Sequence, residues 1–218
     1  DNIRKKLKAR NEIETFPVPS SYNNKIENID ISINSINNLS NEEIIERAFK
    51  FHLDGNISEA SLYYKFCIEH NLNYPSILSN YAIILKNEGK IDKAIKLYKQ
   101  EISNYPQNPD GYYNLGNLLS ETGCLAESEL FLRKAIKISP NLVIPYIKLG
   151  DVLKRTKKYY EAKEFLNQAI KIKPDSAISY LYLGSVLEEM GELKDAEIST
   201  RKAIEIKPDY AEGYSNLG

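Results

Sequence analysis

The chain has 218 residues, of which 42% are hydrophobic and 27% charged, with a formal net charge of −1. That balance is enough to bury a core, and it leaves no global field to hold nucleic acid or an anionic membrane surface. No apolar run approaches the roughly 20 residues that span a bilayer, the N-terminus lacks a secretion pattern, and Cys67 and Cys124 are the two cysteines. A cytoplasmic protein without nucleic-acid or membrane partners is therefore expected.

Residues 1–40 are not repetitive. Asp1 to Ile13 has the pattern of a short basic helix, with Arg4, Lys5, Lys6, Lys8 and Arg10 crowded together. Phe16-Pro17-Val18-Pro19 then forces extended backbone. Ser20 to Ser40 is rich in Asn, Ser and Ile, with too little apolar mass to fold alone. The segment reads as an irregular leader; the sharper alternative packs Phe16, Val18 and the isoleucines along a groove formed by residues 41–218.

From Asn41 onward the chain repeats every 34 residues. Tyr112, Tyr146, Tyr180 and Tyr214 share that spacing, as do Gly116, Gly150, Gly184 and Gly218, then Ala135, Ala169 and Ala203, then Pro106, Pro140, Pro174 and Pro208. A period of this length marks a solenoid. Five complete units are expected, at 41–74, 75–108, 109–142, 143–176 and 177–210, with a partial sixth at 211–218. Ser40 or Asn41 can cap the first helix, with Glu42 and Glu43 in its opening turn.

Each unit reads as two helices joined by a turn, so the fold class is all-α. Gly55, Gly89, Gly123 and Gly191 mark the turns, and Lys157 stands where the fourth would have glycine. Small residues in first helices (Ala48, Ala82, Gly116, Gly150, Gly184) are expected to face small residues in second helices (Ala60, Ala94, Ser128, Ala162, Ala196), which brings the axes close. Phe51, Leu85, Leu119, Leu153 and Leu187 from first helices, with Tyr64, Tyr98, Leu132 and Leu166 from second helices, fill the surrounding core. The start at Asp1 and the stop at Gly218, within the first helix of a further unit, suggest a fragment of a longer protein.

The order Tyr180, Leu183-Gly184, Leu187, Gly191, Ala196, Ala203 and Pro208 resembles the tetratricopeptide repeat. The resemblance covers residues 41–218 and is most specific in the last three full units. In the first two, Arg47-Ala48 and Tyr81-Ala82 stand in for Leu-Gly. Thr200 replaces the usual aromatic, and Glu101 occupies a core position held elsewhere by Cys67, Ala135, Ala169 and Ala203.

The resemblance implies a right-handed superhelical solenoid of antiparallel helix pairs whose concave groove, lined by first helices, binds a peptide or a partner helix. The lining positions carry Asn80, Asn114, Lys148, Tyr182 and Asn216, and, three residues on, Asn117, Asp151 and Ser185. Asn offers donor and acceptor together, so a row of Asn can pair with the backbone of an extended chain. The competing reading is a merely solvated helix surface. A clamp for a C-terminal carboxylate is not completed, because Tyr113 and Asn117 are followed by Lys148 and then by Ile178 and Tyr182.

Catalytic motifs are absent: the sequence has no Gly-rich phosphate loop, no Gly-x-Ser-x-Gly and no His-Glu-x-x-His. His52 and His70 fall in different helices, so neither metal nor cofactor is expected. Cys67 reads as core and Cys124 as an exposed free thiol. Glu129 with Arg133, and Glu197 with Arg201, are spaced as ordinary helix-surface pairs. A non-enzymatic interaction scaffold is the first reading. The alternative is the substrate-presenting leader of a glycosyltransferase or sulfotransferase, because Tyr-Ser-Asn-Leu-Gly and Ile-Lys-Pro-Asp-Tyr-Ala are similar to arrays that precede such domains, protein O-GlcNAc transferase included. Tyr214 and Leu217 would leave an apolar end open to end-to-end self-association.

Overall fold

A computed structural model describes residue 36 and residues 38–72 and 74–209. Among these residues there are ten α-helices and no strand. The chain divides into two compact units, residues 1–106 and 107–218. The first unit holds α1 (Asn41–Leu53), α2 (Ile57–Glu69), α3 (Pro75–Asn87) and α4 (Ile91–Asn104). The second holds α5 (Pro109–Glu121), α6 (Leu125–Ile138), α7 (Val143–Arg155), α8 (Tyr159–Ile172), α9 (Ala177–Glu189) and α10 (Leu193–Ile206). The basic stretch, the Phe-Pro-Val-Pro run and the partial sixth repeat, Asn216, Tyr214 and Leu217 included, lie outside the described residues.

Local chemistry sets the helix ends. Ser40 caps α1 in a full capping box: its hydroxyl accepts from the Glu43 amide, and the Glu43 carboxylate accepts from the Ser40 amide at 2.8 Å. That backbone bond, ahead of the Ser40 hydroxyl, holds the Glu43 carboxyl below its ordinary pKa. Pro75 and Pro109 open α3 and α5, where a fixed φ suits the first turn and no amide partner is missed. Asn108 and Ser176 cap α5 and α9 through their side chains.

Every first helix ends in the same pair of crossed backbone bonds. In α7 the Lys158 amide reaches the Leu153 carbonyl at 2.8 Å and the Lys157 amide reaches Lys154 at 2.9 Å. Equivalent pairs close α1, α3, α5 and α9. The closure needs one left-handed residue. Gly55, Gly89, Gly123 and Gly191 supply it, and Lys157 adopts it at φ 60° despite its side chain.

Within the second unit, α5 pairs with α6, α7 with α8 and α9 with α10, each pair packs on the next, and the first helices α5, α7 and α9 are neighbours. Close approach inside a pair differs in detail from the sequence expectation. A Cβ added to Gly116 would lie 2.9 Å from Leu132 Cγ, and one on Gly150 would lie 2.6 Å from Leu166 Cγ. On Gly184 it would meet Thr200 Oγ1 at 2.5 Å and the Ala196 carbonyl at 3.2 Å. The opposing side chain thus comes one turn later in the second helix than the expected small residue. Ser128, expected to face Gly116 only as a small residue, also donates its hydroxyl to the Gly116 carbonyl at 2.6 Å. The repeated tyrosine and proline meet as well, since Tyr146 Oη donates to the Pro140 carbonyl at 3.0 Å.

The first unit pairs α1 with α2 and α3 with α4, and α2 packs on α3. Its core gathers Ile44, Phe49, Ile57, Tyr63, Tyr64, Cys67 and Ile77. Phe51, expected in the core, is only half-buried and rests on Tyr63, while Phe49 is buried against Tyr64 and Tyr74. The odd core carboxylate, Glu101, is buried and accepts a short hydrogen bond from the Ser79 hydroxyl of α3.

Candidate functional site

The expected binding residues fall into three groups. Asn80 is the first, and the structure corrects its place: it is fully buried in α3, with its side chain against the Tyr64 hydroxyl. Tyr64 Oη in turn lies 3.0 Å from His52 Nδ1. A tyrosine hydroxyl this deep must have polar company, and Asn80 and His52 supply it from α3 and α1. Burial pushes the Tyr64 hydroxyl pKa well up and pulls His52 down to about 4, so His52 is neutral at pH 7. Nothing in the sequence period marks this cluster.

The second group lies on one face of the second unit. Helical spacing aligns Asp110, Asn114, Asn117 and Glu121 along α5, then Ile144, Lys148, Asp151 and Arg155 along α7, then Ile178, Tyr182, Ser185 and Glu189 along α9. Side-chain bonds tie these rows together. Arg155 donates to both the Ser120 carbonyl, at 3.0 Å, and the Ser120 hydroxyl, at 2.8 Å. Lys154 Nζ donates to Ser185 Oγ at 2.9 Å. The expectation that Asn and Ser present open donors and acceptors here is therefore only partly met. Asn114 is buried, Asn117 donates to Glu121 Oε1 at 2.8 Å, and Ser185 is taken by Lys154.

Lys148 and Asp151 differ from their neighbours. Both are half-buried, and neither has a hydrogen bond or ion pair among the described residues. Tyr182 is half-buried and packs against the cluster of Tyr146, Ile147 and Ala169. Tyr113 lies beside Glu121; burial first, and that carboxylate second, push its hydroxyl up to about 12. Asn216, the third group, lies outside the described residues.

The second helices carry a different kind of surface. Arg133 reaches Glu129 at 2.9 Å and Glu161 at 2.6 Å, and it stacks over Phe165. Lys158 joins Glu129 at 2.9 Å, and Lys163 joins Glu192 at 2.5 Å. A pair that reads in sequence as ordinary helix decoration thus links successive repeats. Cys67 is buried, with its thiol pushed up to about 12 by burial and so held protonated, whereas Cys124 is exposed. Among the described residues no group of three His, Cys, Asp or Glu side chains converges as a metal site. No helix of the described residues is long and apolar enough to cross a membrane.

Comparison with known proteins agrees with this geometry. Tetratricopeptide repeat models match residues 109–142, 145–176 and 177–210, and a further TPR repeat model matches residues 82–123. No protein of curated function matches the chain. Among solved structures, a MamA protein is similar at 22% identity and a TM-score of 0.67, over 79% of this chain and 94% of its own. YrrB, described as "a TPR protein with an unusual peptide-binding site", is similar at 16% identity and a TM-score of 0.66, over 82% and 92%. TTC0263, a thermophilic TPR protein in Thermus thermophilus, is similar at 19% identity and a TM-score of 0.65, over 82% and 99%. At these identities the likeness is one of fold.

Proposed function

Because this chain belongs to the tetratricopeptide repeat family, we propose that it is an interaction scaffold whose second unit holds an extended segment of a partner protein on the face built by α5, α7 and α9. The observation that carries this reading is the pair Lys148 and Asp151. Both are half-buried on that face and have no partner among the described residues, while the side chains around them are already engaged. A lysine offers donors and a carboxylate offers acceptors, which is what a peptide group's carbonyl and amide require. The peptide-binding site ascribed to YrrB supports the reading by analogy of fold. Tyr182 adds flat, half-buried area beside the pair.

Selection of a displayed random-peptide library on the whole chain tests this. Selected peptides are expected to bind at least about tenfold more weakly to K148A/D151A, a loss in keeping with a pair of hydrogen bonds to charged groups. They should bind unchanged to E164A, which alters an exposed position on α8. A library that yields no binder, or binders indifferent to the double variant, overturns the proposal.

A further inference from the structure

Resting on that reading, we infer the partner's chemistry: the bound segment carries an apolar side chain that lies between Ile144 and Ile178 and is uncharged on either side of it. These two isoleucines occupy the same place in α7 and α9, which are neighbours, and are 42% and 41% exposed. Among the described residues no other pair of large exposed hydrophobics shares a register in adjacent repeats; Leu130 and Ile198 share one two repeats apart, with Glu164 between them. Leu53 ends α1, and Leu130, Tyr160, Leu193 and Ile198 lie on second helices. In α5 the equivalent place holds Asp110, so the apolar surface is confined to two helices.

The surroundings define what can lie there. One turn further along α7 comes Lys148, and nearly a turn beyond it Asp151, of opposite charge and three residues from it. Their charges cancel, which suits the neutral dipole of a peptide group better than an ionised side chain. The remaining cations of α7 are occupied by neutral partners, Lys154 by Ser185 and Arg155 by Ser120. A ligand carboxylate set against Lys148 would also stand about a turn from Asp151, and a ligand ammonium set against Asp151 would stand about a turn from Lys148, so neither gains over a neutral peptide group.

Distance fits as well. One helical turn is about 5.4 Å, close to the roughly 6.6 Å that two residues of extended chain cover. A segment lying along α7 with its apolar residue at the isoleucine pair therefore sets the peptide group about two residues on against Lys148 and the next one against Asp151. Tyr182, which packs against the cluster of Tyr146, Ile147 and Ala169, stands one turn on from Ile178 in α9.

Nine-residue Gly/Ser peptides with blocked ends and a central Leu, Ser, Asp or Lys, titrated by fluorescence anisotropy against the whole chain, provide the test. The Leu peptide is expected to bind about tenfold tighter than the Ser peptide, the scale of burying one aliphatic side chain in part, with Asp and Lys no better than Ser. I144S/I178S should erase that advantage while K148A/D151A weakens all four alike, with helical circular dichroism unchanged in both. If the peptides bind and respond to K148A/D151A but the Leu advantage is missing or survives I144S/I178S, this inference falls and the scaffold reading stands. If no peptide binds, both fall. Concentration-dependent sedimentation abolished by I144S/I178S would make a second copy of the chain the occupant and overturn the inference.

Discussion

The two units solve the same packing problem with different chemistry. In the second, glycine sits where two helices approach closest, and leucine or threonine fills the space a Cβ would take. In the first, Ala48 and Ala82 hold the equivalent places, with buried Tyr64 and Tyr98 in the positions of Leu132 and Leu166. Tyrosine brings a hydroxyl into the core, and polar residues come with it. His52, Asn80, Ser79 and Glu101 are all buried there, whereas the buried polar groups described in the second unit are hydroxyls and the Asn114 amide. The backbone closure of the first helices is nevertheless the same in both. The repeat tolerates exchange of its core contents as long as the turn geometry and one small residue are kept.

The largest effect that would break this comparison is overpacking in the second unit. Gly150→Leu should cost about 3 kcal/mol, the upper part of the usual range, because Leu166 Cγ already stands 2.6 Å from where a Cβ would go. Urea unfolding followed by helical circular dichroism reads it, and a loss below about 0.5 kcal/mol, the scale of a surface change, would mean that the glycine is not a contact requirement.

Acid should separate the units next. His52 titrates near 4 when folded, below the 6.5 of an unperturbed histidine, so the unfolded state takes up the proton first and stability falls as pH drops below 6.5. Between pH 7 and pH 5 the first unit is expected to lose about 2 kcal/mol, seen as faster amide hydrogen exchange in α1 to α3 and not in α7 to α9. H52Q, which keeps a polar group beside Tyr64, should remove that pH dependence. A dependence that persists in H52Q would assign it to another group.

The smallest effect sharpens the shared feature. Lys157→Gly relieves a left-handed residue, at a cost to the folded state of about 1 to 2 kcal/mol, against the greater freedom of glycine when unfolded. A net gain of about 0.5 kcal/mol is expected in thermal unfolding. No gain would show that the φ of Lys157 carries little strain.

Legibility in the sequence follows the same division. The second unit, with Leu-Gly in each first helix, can be read residue by residue, and the family models match its residues 107–142 and 145–210. The first unit is harder, because Arg47-Ala48 and Tyr81-Ala82 depart from that pattern. Glu101 reads as a conflict in sequence because its partner, Ser79, lies 22 residues away in another helix. The candidate site is half legible. Lys148, Asp151, Tyr182 and Ser185 are half-buried on first helices, but Asn80 and Asn114 are buried. Ile178 stands at a lining position in the sequence, where it leaves the carboxylate clamp incomplete, but the exposure of Ile144 and Ile178 as an apolar pair shows only in the structure.

Sequence alone determined the helices, their ends and the all-α repeat, because capping, turn closure and a 34-residue period depend on residues close together in the chain. Only tertiary structure decided which polar side chains are free to bind. That depends on partners one repeat away, Ser120 for Arg155 and Ser185 for Lys154, and on how deep a tyrosine hydroxyl draws an asparagine into the core.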